Sequence, residues 1–137
     1  MHLDHEKLEV YRVELEFLGW ANQLIEELSE QKGTRVREIL DHLDRASLSA
    51  VFNTAEGNGK RQRATRAKFF DDARGSATEC AACLDATVAK GACSAERIRK
   101  GKELLFRVVS MLCKLVDMYS APSGVKEDAE DYAATAE

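Results

Sequence analysis

The chain contains one proline, Pro122, and the 121 residues ahead of it run without another. Strands in small sheets are punctuated by frequent proline and glycine turns, and aromatic residues enrich them. Here aromatics make up only 7% of the chain. Long helices are therefore favoured over a many-stranded fold, and 137 residues make one domain with a real core. No apolar run approaches the ~20 residues needed to cross a bilayer, and the charged N-terminus has no apolar leader segment. The expectation is a cytoplasmic protein with reduced thiols.

A first helix is expected from Asp4, read as its N-cap, to about residue 31, where Lys32 and Gly33 stop it. Two apolar stripes run along it. Leu8, Tyr11, Leu15, Leu18 and Ile25 make one, and Val10, Val13, Phe17, Trp20 and Leu24 make the other. An offset of two residues turns them about 200° apart on a helix. A helix apolar on two sides is covered on both. The expectation is one face in the bundle core and the other, Val10, Val13, Phe17, Trp20 and Leu24, against a second subunit. The alternative is a helix central to its own domain.

The second helix is expected from Thr34 or Arg35 to about residue 56, with Val36, Ile39, Leu40, Leu43, Ser47, Ala50, Val51 and Thr54 as its stripe. Gly57, Asn58 and Gly59 should stop it by supplying positive-φ residues. Thr65 is read as the N-cap of a third helix that Gly91 ends. Ser94 caps a fourth that runs to about residue 119. Four helices of roughly 22 to 28 residues with short connections predict an all-α, antiparallel, up-down-up-down four-helix bundle over residues 1–121, about 35–40 Å long. Residues 122–137 are rich in alanine and acid and are expected to be a disordered tail.

The net charge is −4, and residues 123–137 account for all of it, so the body is neutral. Within that body, residues 60–68 hold five bases and no acid: Lys60, Arg61, Arg63, Arg66 and Lys68. They are candidate phosphate contacts, or an ordinary solvated helix start. No aromatic lies between them in sequence, so base stacking and sequence-specific reading are not indicated.

Chemistry is not indicated elsewhere. The glycine turn lacks the length and the Ser/Thr of a phosphate-binding loop. There is no G-x-S-x-G, and no Glu-x-x-His pair of the kind that builds di-iron bundles. Cys80 and Cys83 sit one turn apart in mid-helix, and read as buried small hydrophobes rather than as zinc or redox thiols. No metal, cofactor or small-molecule substrate is called for, and the chain is not read as an enzyme.

From Arg45 to Gly59 the sequence reads R-A-x-x-S-x-x-x-N-x-A-E-G-x-G. A basic residue follows, then F-F…A-R-G-S-A-x-E from Phe69 to Glu79. Together with Leu8-Glu9-Val10-Tyr11, these segments resemble the 23S rRNA intervening-sequence protein family over roughly residues 5 to 119. The resemblance implies a left-handed four-helix bundle assembled into a ring, typically a homopentamer. Some members are encoded inside insertions in bacterial ribosomal RNA genes. A related branch, the accessory protein of diversity-generating retroelements, is a pentameric barrel that binds reverse transcriptase and nucleic acid. That branch is strongly basic, whereas this body is neutral.

The resemblance marks Arg45, Ser49, Asn53, Glu56, Gly57, Gly59, Arg74, Gly75, Ser76 and Glu79 as motif residues. Their polar members either form a pocket or pair across helices and fix register. The expected function is a non-catalytic, homo-oligomeric binding or scaffold module for RNA or a ribonucleoprotein, acting through the basic turn. The competing expectation is a protein-binding adaptor without nucleic-acid contact, or the retroelement role.

Overall fold

A computed structural model describes residues 1–33 and 35–121. Four helices account for most of them: α1 (Glu9–Ser29), α2 (Arg37–Asn58), α3 (Arg63–Ala89) and α4 (Ala95–Ser120). A short 3-10 turn, Asp4–Lys7, precedes α1, and there is no strand among the described residues. The fold is all-α, in keeping with a four-helix bundle. Each helix packs on its neighbours in sequence, and α1 also packs on α4. The α2–α3 and α3–α4 seams are the more extensive. The acidic tail lies outside the described residues.

Three helices start elsewhere than expected. The first helix does not start at Asp4. The 3-10 turn ends at an extended Leu8, whose side chain is buried beneath the start of α1. The second helix starts two residues late, at Arg37, because Arg35 lies at φ 55, outside helical space. The third starts at Arg63, ahead of Thr65, with no capping side chain. Two expected signals hold: Gly91 ends α3 at φ 77, and the Ser94 hydroxyl accepts from the Arg97 amide at 3.1 Å to cap α4.

Gly57 and Gly59 work otherwise than expected. The α2 helix runs through Gly57 and Asn58, and Gly59 caps it at φ −86, so neither glycine supplies a positive φ. Gly57 is needed for space instead. A Cβ there would stand 2.8 Å from Phe69 Cβ and 3.3 Å from the Phe70 ring. Its missing side chain lets α2 and α3 close on each other at the turn.

The stripe of α1 expected between subunits is the one that faces inward. Val10, Val13, Phe17 and Leu24 are at most 3% exposed within the single chain. They meet the inward faces of the other helices, so they form core and are not free to make a subunit interface. Trp20 is half-buried between α1 and α4. It lies against Gly101, where any Cβ would collide with its indole, and beneath the Arg97 guanidinium at 5.5 Å. The other stripe is the more outward one: Leu15 is 42% exposed and Tyr11, Leu18 and Ile25 are half-buried, although Leu8 at its start is buried. Phe52 on α2 (61%) and Phe106 on α4 (75%) add large apolar rings to the surface.

Gly101→Ala should therefore cost about 1–3 kcal/mol by driving the Trp20 ring from its seat. Gly75→Ala, where nothing lies within 4 Å, should be neutral or stabilise by up to about 1 kcal/mol through helix propensity. Urea unfolding followed by circular dichroism measures both, and equal effects would contradict the packing described.

Candidate functional site

The basic segment spans the α2–α3 turn and the first turns of α3, and its five cations divide by what they touch. Arg63 reaches across to the last turn of α4, where its Nη2 donates to the Met118 carbonyl and its guanidinium lies over the Tyr119 ring at 5.1 Å. Arg66 lies over the same ring at 4.8 Å. It donates to the Asn58 backbone carbonyl and, at 2.9 Å, to Asn58 Oδ1. Asn58 Nδ2 in turn donates to Asp4 Oδ2 at 3.1 Å. The two arginines thus satisfy carbonyls at the ends of α4 and α2, where helix dipoles favour positive charge. Their surroundings are those of a clamp.

Lys60, Arg61 and Lys68 face outward. Lys60, just past the end of α2, pairs with Glu56 at 3.5 Å, and Lys68 pairs with Asp72 along α3 at 3.1 Å, both on exposed surface. Such exposed pairs hold a side chain by at most about 1 kcal/mol. Both ammonium groups also lie over one half-buried ring, Phe69, at 5.1 and 5.6 Å. Folding therefore brings an aromatic ring between two of the bases, although none separates them in sequence. Arg61 is exposed and has no partner among the described residues.

The motif residues are strung along the α2–α3 seam rather than gathered into one pocket. The Ser49 and Ser76 hydroxyls bond across it at 2.9 Å, and Asn53 Nδ2 donates to the Ser49 carbonyl at 2.9 Å and its hydroxyl at 3.1 Å. Further along, Glu79 meets His42 at 2.7 Å. Arg74 pairs with Asp71 on its own helix, and Glu56 with Lys60. Gly57 sits against Phe69, Gly59 caps α2, a Cβ at Gly75 would meet open space, and Arg45 is exposed. The side chains that do pair across helices fix the register of α2 on α3.

One polar residue of the core was not singled out by its sequence. Glu14 is 3% exposed, and among the described residues its carboxyl has one hydrogen-bond partner, Thr54 on α2, whose hydroxyl donates to Oε2 at 2.7 Å. Burial raises its pKa to about 8, against the opposing pull of the Thr54 bond. Its place one turn after Val10 on the inward stripe was the available signal. Burial likewise pushes the Cys80 thiol up to about 12 and raises that of Cys83. Among the described residues, no three His, Cys, Asp or Glu side chains are grouped to hold a metal ion, and no helix is long and apolar enough to cross a membrane.

Arg66→Ala should cost about 1–3 kcal/mol, because it strips the Asn58 carbonyl and side chain of a charged donor. Arg61→Ala should stay within about 0.5 kcal/mol. Thermal unfolding of the two variants tests the division, and a costly Arg61 variant beside a silent Arg66 one would reverse it.

Residues 6–114 match the model of a family described as 23S rRNA-intervening sequence protein. No curated protein and no solved structure matches the chain. The matched span takes in α1, α2, α3 and most of α4, and with them the motif seam, the basic turn and the two clamp arginines, but not Met118 and Tyr119 at the end of α4. The chain belongs to the 23S rRNA-intervening sequence protein family.

Proposed function

We propose that the protein is a non-catalytic scaffold of the cytoplasm. In this reading an up-down-up-down, left-handed bundle assembles into a ring of identical copies, most simply five, and binds RNA or a ribonucleoprotein along one rim. Several contacts support the alternating helix directions. Glu14 near the start of α1 meets Thr54 near the end of α2, and Arg97 at the start of α4 holds Glu27 near the end of α1 at 3.0 Å. Arg63 at the start of α3 meets Met118 near the end of α4.

The observation that carries the binding reading is the anchored turn. Arg63 and Arg66 tie it to the ends of α2 and α4, so Lys60, Arg61 and Lys68 project from a fixed edge. Three outward cations bind phosphate weakly in one copy. Repeated around a ring they act at high effective concentration, which multiplies affinity without any new contact. Such a rim reads backbone charge rather than base identity.

Assembly is supported by the outward apolar residues, Leu15 and Phe52 above all. The same residues support a second reading, in which the bundle docks on a different protein and makes no nucleic-acid contact. Light scattering on the full chain separates the two. Self-assembly gives a mass several times 15.2 kDa, reduced by Phe52→Glu. A mass of one chain at every concentration would overturn the ring and leave the adaptor.

Filter binding to ribosomal RNA tests the rim. Retention should fall steeply as salt rises, and the Lys60→Glu, Arg61→Glu, Lys68→Glu triple variant should lose about tenfold or more in affinity while keeping its oligomeric mass. No retention of ribosomal RNA at low salt would overturn the rim.

A further inference from the structure

Glu14 places an ionisable group where a charge has nowhere to go. Thr54 occupies Oε2, and Oε1 is buried without a partner. The carboxyl borders a cavity of about 10 Å3 at the centre of the helices, room for one water at most. The groups facing it are Ser47 and Thr54 on α2, Cys80 on α3, Leu105 and Val108 on α4, and Phe17 on its own helix. None is charged, and Cys80 is the one titratable group among them. Burial holds its thiol neutral, pushed up to about 12.

A neutral carboxyl suits this setting. Its carbonyl oxygen accepts from Thr54, which leaves one hydroxyl without a partner rather than a full charge. A carboxylate does not suit it, because two oxygens that each seek several donors would share one hydroxyl. Ionisation in place is disfavoured, and relief comes from admitting water. Both seams of α1, with α2 and with α4, are less extensive than the α2–α3 and α3–α4 seams, and the Thr54 bond ties Glu14 across the first of them.

We propose that Glu14 is a proton-linked lock between α1 and α2: neutral, it holds the two helices together, and on losing its proton it lets α1 part from α2. The folded carboxyl keeps its proton to about pH 8, whereas the unfolded chain releases it near the ordinary value of 4.5. Between those limits unfolding releases a proton, so rising pH favours the unfolded side. The contribution of Glu14 is complete below about 4.5, declines through neutrality and is spent above about 8.

Thermal unfolding of the full chain from pH 5 to 9.5, beside Glu14→Gln, tests the linkage. The wild-type Tm should fall relative to the variant as pH rises to about 8, then run level with it. Parallel curves across the range would overturn the proposal. Should the variant fail to fold, the infrared carbonyl stretch of the wild type decides. A neutral-carboxylic-acid band present at pH 7 and lost through about pH 8 supports the lock, and no such band at pH 7 overturns it. Hydrogen exchange above pH 8, corrected for base catalysis, locates the opening. Faster exchange confined to α1 and the facing turns of α2 supports the lock, and a rise shared equally by α3 and α4 overturns it.

Discussion

The attachment of α1 to the other three helices is the constraint on which the structure turns. The α2–α3 seam closes on small residues: Gly57 against Phe69 and Ser49 against Ser76, with Ala73 and Ala77 of α3 in the core. The α1 seams are built differently. Phe17, Leu24 and Leu28 fill the space beside it, and Trp20 fits only because Gly101 has no side chain. Burying such side chains stabilises by about 1.5–3 kcal/mol each before entropy is charged against it. Removing α1 would expose the inward faces of α2 and α4 together. Its polar member, Glu14, is a core carboxyl whose protonation state the packing has to control.

Charge is used in two separate ways at the α2–α3 turn. Arg63 and Arg66 spend theirs inside the protein, on carbonyls at the ends of α4 and α2, and their planar heads stack on Tyr119. Guanidinium suits that task, since its flat, multi-donor shape serves a ring and a carbonyl at once. Lys60, Arg61 and Lys68 remain on the outside, two of them over Phe69. Five bases that are equivalent on paper thus become a clamp of two and an outward set of three.

Much of the fold was legible in the sequence, since periodicity records which side of a helix is dry. Four helices, the Gly91 stop and the Ser94 cap could all be read from residue types and spacing. Periodicity does not record direction when a helix has two dry sides. Residue pattern alone puts Val10, Val13, Phe17 and Leu24 on the outside, whereas they are buried, and on the other stripe Leu15 is exposed and Leu18 half-buried. Glycine is ambiguous in the same way. Gly57 looks like a positive-φ stop, yet its place is set by the approach of Phe69, 12 residues further along the chain. Contacts such as Arg63 with Met118 and Glu14 with Thr54 depend on which helices are neighbours, and no local pattern carries that. At the motif seam the residue types were legible, but their pairing into Ser49–Ser76 and His42–Glu79 was not.

The central claim is that each copy buries its own core and that any association uses the outward stripe. Trp20, the only tryptophan in the chain, reports on this directly, because it belongs to the stripe once expected between subunits. Its fluorescence emission can be followed on dilution while light scattering follows particle mass. The account predicts an emission maximum that stays constant as the mass falls to that of one 15.2 kDa chain. A shift to longer wavelength in step with dissociation would place Trp20 between subunits and contradict it.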